Sequence, residues 1–482
     1  MRDIYPLFVP GKRIFYPLFV PYTEIMHTFV IDKQEDMSYN RNIEEKLKHW
    51  KLSPFRKPLV LRGARQVGKT TAIRLFARGF RQFVSLNLET DDARMFEDER
   101  NIHKLVDKIF FEKQMLKEET DTLIFIDEIQ EVPTALNMLR YFYEEYPQYH
   151  VIAAGSLLES LFNQSISFPV GRVDYLYMYP FSFAEFLEAM GEKTALAAYH
   201  TVPVPDYATD RLMQLFHTYT LVGGMPEAVE RYVLTKDILQ LKPVYDALLL
   251  SYVNDVEKYA STPNQIQVMR HCIRSCFAEA GKRIKFAGFG HSSYASKDIG
   301  EALRTLSKAL ILHLTYPTTQ ISLPFAPDLK RSPRLQVLDT GMLNYFSNIQ
   351  REVFTSDDLN NLYKGRIAEH IVAQELIASS DNYLQPLLFW VREKSGSNAE
   401  LDFLLSTSYG MIPVEVKAGA TGHLKSLLLY MDEADSTLAI RLYAGEYRKE
   451  EIVTPQGKSF TLLNIPYCLA GKLQEYVAAL KN

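Results

Sequence analysis

Four short runs of apolar or alternating residues recur in the first third of the chain, each with the length of a strand. They occupy residues 59–61, 83–89, 123–126 and 150–155, and runs this short, bounded by turn residues, are typical of strands in a sheet. The segments between them have helical character. Strands that alternate with helices favour a parallel α/β sheet, with ligand chemistry at its carboxyl edge. The pattern predicts an α/β core over residues 37–180.

Helical spacing continues without strands through residues 181–260. The segments FSFAEFLEAM, RLMQLFHTYTLV and VYDALLLSYVNDVEKY all lie in this range, and GGMP at 223–226 interrupts them. Glycine followed closely by proline is a strong helix break. The range is predicted to be a helical lid.

A helix followed by β-rich sequence characterises residues 261–345. Apolar residues recur at helical spacing, and a turn is expected at 316–317. A helix before a hairpin is the pattern of a winged helix, in which Lys297, Arg304 and Lys308 would face outward towards phosphates. The alternative is a helix packed between domains with a solvated basic face.

Strands return in residues 346–482. The helix GRIAEHIVAQELIA precedes the strands LLFWVRE, AELDFLL and MIPVEVKAG, which the polar turns KSGSN and STSYG join. Short polar turns favour an antiparallel meander. In the third strand, alternation of side chains puts Glu415 and Lys417 on one face.

Composition and charge narrow the function classes. The 482 residues are 47% hydrophobic, and 54 Lys and Arg residues face 58 Asp and Glu residues, which gives a net charge of -4. No global signature of a nucleic-acid binder exists, so any such function depends on local patches. Only three cysteines occur, which fits a reducing cytosol and a cytoplasmic protein. No uninterrupted apolar run is long enough for a membrane span, so no membrane partner is expected.

The first 36 residues form an unusual extension. The hexapeptide YPLFVP occurs twice, at 5–10 and 16–21, and two copies cannot form a solenoid. The extension is either a docking segment or upstream sequence translated from an early start. The second interpretation is favoured, with Met37 opening the first domain.

A phosphate-binding loop follows the first strand. Gly63, Gly68, Lys69 and Thr70 match the G-x-x-x-x-G-K-[ST] spacing between a strand and a helix. The expected nucleotide-binding residues are Gly63, Ala64, Arg65, Gln66, Val67, Gly68, Lys69, Thr70 and Thr71. Lys69 would reach the β and γ phosphates, and Thr70 would ligate Mg²⁺. The alternative is a glycine-rich turn with a surface lysine.

The partner of this loop is an apolar strand that ends in two acids. The sequence TLIFIDEIQEVP places Asp127 and Glu128 at the end of a buried strand. Asp127 would hold the magnesium ion through water, and Glu128 would polarise the attacking water. ATP and Mg²⁺ are therefore the expected cofactors.

Two further residues are candidates for sensing or neutralising the γ phosphate. Ser156 follows the strand at 150–155, at the edge where the phosphates would lie. Arg172 could complete charge neutralisation within one chain or across a contact between subunits of a homo-oligomer. A surface arginine is the alternative.

The motifs GARQVGKTT, FIDEIQEVP, AAGSLLESL, GRVDYLYMYPFSFAEFL and GGMPEAV together resemble a known family. This is the family of prokaryotic AAA+-type ATPases that carry a C-terminal domain of unknown function. The resemblance extends from about residue 40 almost to the end of the chain. It implies an ATPase whose helical part packs over the nucleotide, and it implies no substrate.

Charged residues in the last domain suggest a second site. Asp402 interrupts an apolar strand, which costs desolvation unless a cation pairs with it. Asp402 and Glu415 are the expected ligands of a divalent ion, Lys417 could stabilise a hydroxide, and Glu369 could hold a metal or a water. This order resembles the restriction-endonuclease-like PD-(D/E)xK nucleases, although Ala399-Glu400-Leu401-Asp402 departs from their Pro-Asp form. The alternative is a salt-bridged cluster on an inactive version of that fold.

Together these observations predict an α/β protein with four parts. They are a P-loop parallel-sheet ATPase core, a helical lid, a winged-helix-like middle domain and a restriction-endonuclease-like α/β C-terminal domain. The expected function is ATP hydrolysis that controls a DNA-associated, metal-dependent nuclease-like domain. The alternative is a nucleotide-gated DNA- or protein-binding switch with an inactive nuclease-like domain.

Overall fold

The computed structural model describes residues 39–155, 171–260, 262–350, 366–380, 386–394, 397–407, 409–417 and 424–480. Residues 1–38, including the repeated hexapeptide, and Ser156 lie outside this set. From Arg41 onward the chain forms one contact unit. Of the helices in the described ranges, none combines the length and the apolarity that crossing a bilayer requires.

A five-stranded parallel sheet forms the first part. Its strands are β1 (Leu59–Arg62), β2 (Gln82–Asn87), β3 (Thr122–Asp127), β4 (His150–Gly155) and β5 (Asp174–Tyr177), in the order β2-β3-β4-β1-β5. Every residue of β3 is buried, as expected for a strand that helices cover on both faces. The predicted parallel α/β core is confirmed.

Five helices accompany this sheet: α1 (Asn42–Leu52), α2 (Lys69–Ala77), α3 (Ala93–Asp98), α4 (Ile102–Glu112) and α5 (Pro133–Glu145). In α4 the buried residues recur at helical spacing, from Ile102 to Phe110. The helix begins where the Asn101 side chain accepts hydrogen bonds from two backbone N–H groups of its first turn. An apolar stripe and a polar cap therefore fix its position and its start.

Helices fill the next part of the chain. They are α6 (Phe183–Ala189), α7 (Lys193–His200), α8 (Asp206–Val222), α9 (Pro226–Thr235) and α10 (Lys242–Tyr259). The break expected at 223–226 separates α8 from α9. Ser182 and Glu185 form a capping box that starts α6.

The middle segment contributes strands to two different sheets. It contains α11 (Pro263–Glu279), α12 (Ser296–Lys308), β6 (Leu312–Thr315), β7 (Pro317–Thr318), β8 (Arg334–Val337) and α13 (Thr340–Phe346). β6 pairs with β8 in an antiparallel two-stranded sheet. Where a turn was expected at 316–317, β7 instead extends the C-terminal sheet.

The C-terminal sheet has seven strands among the described residues. After α14 (Arg366–Ala378) come β9 (Leu388–Lys394), β10 (Ser397–Thr407), β11 (Gly410–Val416), α15 (Lys425–Glu433), β12 (Leu438–Tyr443), β13 (Arg448–Val453), β14 (Ser459–Pro466) and α16 (Leu473–Ala479). The order is β13-β14-β12-β11-β10-β9-β7. β9, β10 and β11 form the predicted antiparallel meander, whereas β12 runs parallel to β11.

Buried carboxylates join the C-terminal half to the helical part. Glu375 on α14 is 1% exposed, and its Oε1 accepts hydrogen bonds from the Phe183 N–H at 3.0 Å and the Tyr219 hydroxyl at 2.8 Å. Asp339 caps α13, and its Oδ2 accepts a hydrogen bond from the Gly224 N–H at 2.6 Å. These contacts hold the break between α8 and α9 and the start of α6 against the C-terminal half.

Candidate functional site

The loop from Gly63 to Gly68 joins β1 to α2 and has the geometry of a phosphate cradle. Gly68 has a φ of 94°, which favours glycine. A Cβ on Gly63 would lie 2.5 Å from the carbonyl oxygen of Met178, closer than real Cβ atoms approach. Because α2 begins at Lys69, its first N–H groups and its positive dipole end lie at the loop.

Lys69, Thr70 and Asp127 meet inside this cradle. Lys69 Nζ donates hydrogen bonds to the carbonyl oxygens of Gly63 at 3.0 Å and Ala64 at 2.9 Å. Burial lowers the pKa of Lys69 to about 8. The Thr70 hydroxyl donates to Asp127 Oδ2 at 2.7 Å, so a hydroxyl and a carboxylate lie together at the sheet edge. This donor set fits Mg²⁺-ATP, with Lys69 on the phosphates and Thr70 and Asp127 on the metal side.

Glu128 is held next to this pair in a constrained conformation. Its φ of 51° is in the left-handed region, which is uncommon for a residue other than glycine. Gln130 Nε2 donates to Glu128 Oε2 at 2.6 Å, and burial raises the pKa of Glu128. Its carboxylate is therefore oriented and less acidic than an ordinary glutamate, which suits a proton acceptor.

The other expected loop residues divide into buried and exposed positions. Ala64 and Val67 are buried, whereas Gln66 and Thr71 are exposed. Arg65 is directed away from the cradle towards helix α10. The apolar residues pack the loop onto the domain.

Helix α10 contacts both halves of the nucleotide site. The Tyr252 hydroxyl donates to the carbonyl oxygen of Arg65 at 3.1 Å. Asp255 forms an ion pair with the Arg65 guanidinium. Lys258 Nζ lies 2.6 Å from an oxygen of Glu131, four residues after Asp127. Helix α10 is thus connected to the phosphate loop and to the segment that follows β3.

Arg41 is a functional candidate that the sequence did not reveal. It is 7% exposed, and it donates hydrogen bonds to the Val67 carbonyl at 3.0 Å, the Tyr179 carbonyl at 2.7 Å and the Glu185 carboxylate at 2.9 Å. These partners are 26 to 144 residues away in the chain. No local motif marks the residue, because its role depends on the fold.

Arg172 lies away from the phosphates of its own chain. Asp174 pairs with Leu59, the first residue of β1, whereas the phosphate loop follows the last one. Arg172 is therefore at the opposite edge of the sheet, where its Nε lies 3.0 Å from a Glu144 oxygen. The structure does not bring it to the nucleotide site within one chain, and a role across a subunit contact stays a prediction.

The acidic residues predicted in the C-terminal domain do come together. Phe403 pairs with Val414, so the antiparallel register places Asp402 beside Glu415. Asp402 Oδ2 accepts a hydrogen bond from the Val416 N–H at 2.8 Å. Lys417 Nζ lies 2.5 Å from Glu415 Oε1. Asp402 and Glu415 are 7% and 3% exposed, so their charges need compensation.

A buried arginine from β8 supplies that compensation. Arg334 Nη2 lies 3.4 Å from Asp402 Oδ1, and Nη1 lies 3.5 Å from Glu369 Oε2. Its Nε donates to Glu400 Oε1 at 2.9 Å. The arginine is 6% exposed. A sequence signal for Arg334 did exist. An arginine in the short strand RLQV needs an acidic partner when it is buried, just as Asp402 needs a cation.

Protein cations lie against the acid cluster, and the divalent ion expected there stays a prediction. Arg334 and Lys417 contact its carboxylates, whereas Glu415 Oε2 has no hydrogen-bond partner among the described residues. Burial, and after it the neighbouring Asp402 charge, raises the pKa of Glu369 and of Glu415. Within the described ranges, no three or more His, Cys, Asp and Glu side chains form a metal-binding group. The geometry matches the salt-bridged alternative.

Three family models match separate parts of the chain. Residues 55–187 match an AAA domain. Residues 213–353 match the domain of unknown function DUF8612, and residues 364–466 match the domain of unknown function DUF4143. The AAA match covers the phosphate loop and Asp127, so the chain carries a P-loop ATPase domain of the AAA type. No curated protein matches the chain.

The solved structures to which the chain is similar match it with low identities and low TM-scores. A Walker-type ATPase of Pyrococcus abyssi is 16% identical, with 64% of this chain and 96% of that chain covered and a TM-score of 0.40. The Holliday junction branch migration motor RuvB of Thermotoga maritima is 14% identical, covers 57% and 90%, and has a TM-score of 0.27. The ORC1 protein of Aeropyrum pernix, solved in complex with DNA, is 12% identical, covers 70% and 94%, and has a TM-score of 0.26. Similarity at this level identifies no substrate or partner for this chain.

Proposed function

We propose that the protein is an ATP-hydrolysing switch in which helix α10 carries the nucleotide state of the P-loop domain to a DNA-binding C-terminal half. The observation that carries this proposal is the attachment of α10 to the nucleotide site. Tyr252 and Asp255 hold Arg65 of the loop, and Lys258 holds Glu131 beyond β3. A helix attached at both places must adjust when phosphate binds or leaves.

The other contacts of α10 lead towards the C-terminal half. Tyr345 on α13 donates a hydrogen bond to Asp246 Oδ1 at 3.0 Å. Arg270 on α11 lies 2.6 Å from a Glu257 oxygen. Movement of α10 would therefore displace α11 and α13, the first and last helices of the middle segment, which contributes β7 to the C-terminal sheet.

ATP hydrolysis is assigned to residues of the cradle. Lys69 neutralises the phosphates, and Glu128, oriented by Gln130, accepts a proton from the attacking water. Thr70 and Asp127 would hold a magnesium ion, which would supply Lewis-acid stabilisation of the phosphate charge when bound. Burial, and after it the nearby Arg65 charge, lowers the pKa of Lys69, and an anionic ligand would favour the charged form of this side chain.

The C-terminal half is proposed to bind DNA without cutting it. Arg334 neutralises the acids that a metal-dependent nuclease would use. On α12, Lys297 and Arg304 are exposed, and the order of a helix before the β6–β8 pair supports a winged-helix-like contact with phosphates. The restriction-endonuclease-like fold would then serve as a scaffold.

The first test compares ATP turnover and DNA affinity, with and without a non-hydrolysable ATP analogue. Lys69→Ala should lose both turnover and the nucleotide dependence of DNA affinity. Asp255→Asn should retain turnover and weaken that dependence, because it removes the ion pair between α10 and Arg65 of the loop. Asp210→Asn, an exposed acid on α8, is the matched control. A full nucleotide response in Asp255→Asn would contradict the role of α10.

A second test separates binding from cleavage. Supercoiled plasmid is incubated with the wild-type protein in Mg²⁺ or Mn²⁺, beside Asp402→Ala. Intact plasmid with ATPase activity is the expected result. Cleavage by the wild-type protein that Asp402→Ala abolishes would identify the C-terminal domain as a nuclease and contradict the proposal that it binds DNA without cutting it.

The remaining proposals concern assembly and compartment. Arg172 is proposed to act across a subunit contact in a homo-oligomer. If so, Arg172→Ala should lower turnover only at protein concentrations where light scattering detects the oligomer. Cys272, Cys276 and Cys468 are free thiols, which supports a reducing, cytoplasmic location.

A further inference from the structure

A cleft separate from the phosphate loop lies between the ATPase sheet and the C-terminal half. Its volume is about 720 Å³, within the range of small-molecule sites. The edge strand β5 and the end of β1 line one side, and the ends of α12, α14 and β10 line the others, together with β6 and the start of α16. A space closed by so many elements suits a compact molecule better than a continuous polymer.

The charged lining of this cleft is positive. Arg62 and Lys308 line it, and no Asp or Glu is among the described lining residues. His313 also lines the cleft, and burial lowers its pKa to about 4, so it is neutral. Lys308 is exposed, and within the described ranges no carboxylate pairs with it. A ligand of this cleft should carry negative charge.

The cleft also offers hydrogen-bond acceptors and hydroxyl groups. The last turns of α12 and α14 end at it, through Ser307 and Ile377 among others. The carbonyl oxygens of Ser307 and Ile377 accept hydrogen bonds from the backbone N–H groups of Leu310 at 3.0 Å and Ser380 at 3.3 Å, so the polar groups that a ligand would meet are side chains. Serine and threonine hydroxyls from three of the surrounding elements add donors and acceptors, for example Ser379, Ser406 and Thr315.

We propose that this cleft binds a phosphorylated sugar or nucleotide, distinct from the ATP of the P-loop. Its phosphate lies against Arg62 and Lys308, and its hydroxyl groups face the serine and threonine side chains of the lining. A simple anion would not use these hydroxyl groups, and a neutral sugar would not use the positive charges.

The cleft is coupled to the phosphate loop through the backbone. Arg62 immediately precedes Gly63, and its carbonyl oxygen accepts a hydrogen bond from the Met178 N–H at 2.7 Å. Tyr179, which also lines the cleft, is held through its carbonyl by Arg41, the residue that holds Val67. A ligand here should change ATP affinity, and ATP should change its affinity by the same factor. This coupling rests on the proposed ATPase function, whereas the binding itself does not.

Binding is tested by calorimetry on full-length Lys69→Ala protein, so that the phosphate loop contributes little. Ribose 5-phosphate, AMP and inorganic phosphate are the probes. AMP or ribose 5-phosphate should bind more tightly than phosphate. Adding Lys308→Glu should weaken that binding at least about tenfold, a loss of about 1.4 kcal/mol. Lys285→Glu, at an exposed position outside the cleft, should leave the affinity unchanged.

Three outcomes would overturn the proposal. They are no binding of either sugar phosphate at millimolar concentration, equal affinity in the Lys308→Glu and Lys285→Glu proteins, and loss of duplex DNA affinity in Lys308→Glu without any sugar-phosphate binding. The last would assign Lys308 to a nucleic-acid surface. Arg62→Met, which keeps the aliphatic stem, is an independent second variant with the same expected loss. Because the Lys69→Ala protein is used, failure here leaves the proposed ATPase function untouched.

Discussion

Replacing Arg334 by methionine should selectively destabilise the C-terminal sheet. The guanidinium contacts Glu369, Glu400 and Asp402, and the arginine is 6% exposed. Removing one partner of a buried ion network leaves uncompensated charge, which costs about 3–5 kcal/mol. With a denaturant slope of roughly 2–3 kcal/mol per molar urea, the unfolding midpoint should fall by about 1–2.5 M. The loss should be smaller at pH 5 than at pH 8, because carboxylates without a cation take up protons.

The chain has two tryptophans, and they report on different parts. Trp50 lies on α1 beside the ATPase sheet, and Trp390 lies on β9, where it pairs with Leu401 next to the acid cluster. In a Trp50→Phe background, fluorescence follows the C-terminal sheet alone. Arg334→Met should shift this transition, whereas the transition that Trp50 reports in a Trp390→Phe background should shift less.

Arg283→Met is the matched control for this experiment. Arg283 forms ion pairs with Glu393 at 3.0 Å and Glu400 at 3.6 Å, but its side chain is 29% exposed. Exposed pairs contribute about 0–1 kcal/mol, so this variant should shift the midpoint little. Equal shifts in Arg334→Met and Arg283→Met would refute the argument from burial. Arg334→Lys, which keeps the charge and loses the planar fork, should give an intermediate shift.

Three further predictions follow from the site and its surroundings. Arg41→Met should weaken binding of a fluorescent ATP analogue about tenfold, a loss of about 1.4 kcal/mol, because the loop loses the hydrogen bond at Val67 that Arg41 anchors to Tyr179 and Glu185. Lys48→Met, at an exposed position on α1, should leave the affinity unchanged, and equal affinities of the two variants would contradict the role of Arg41. Glu128→Gln should bind ATP and hydrolyse it far more slowly, and single-turnover assays that show normal hydrolysis would exclude Glu128 as the proton acceptor. Burial raises the pKa of Glu375 to about 7, above the pKa of the same carboxyl in the unfolded chain. Between these two pKa values the folded state binds a proton that the unfolded state has released. The free energy of unfolding should therefore rise as the pH is lowered from 8 to 5. Glu375→Gln should flatten this rise, which is on the order of 3 kcal/mol, and an unchanged pH profile in denaturant titrations would exclude the carboxyl.

Local patterns were sufficient for the phosphate loop and for the meander. Gly63 and Gly68 act through the backbone of a single loop and Lys69 acts through its side chain, and all three lie no more than six positions apart. Asp402 and Glu415 are joined by one short turn, so their proximity follows from alternation and register. Each of these features is encoded within about 20 residues, over which sequence periodicity is informative.

Contacts between distant segments could not be predicted in the same way. Arg334 reaches Asp402 across 68 residues, and Arg41 reaches Glu185 across 144. Arg172 follows a conspicuous glycine, but only the pairing of Asp174 with Leu59 shows which edge of the sheet it occupies. A turn was expected at 316–317. Pro317 instead begins β7, which pairs with β9, and such pairing between distant segments depends on tertiary context.

The short strand β7 has a consequence for how this chain can be divided. Pro317 and Thr318 pair with Phe389 and Trp390, so the middle segment supplies one edge of the C-terminal sheet as well as the counter-charge from Arg334. A fragment that begins at residue 346 would lack both. Its β9 would present unpaired backbone groups, which promote association with other chains, and its carboxylates would repel one another. Limited proteolysis that removes everything before residue 346 should therefore yield an aggregating product, whereas a fragment that retains residues from the start of α12 keeps the sheet edge covered.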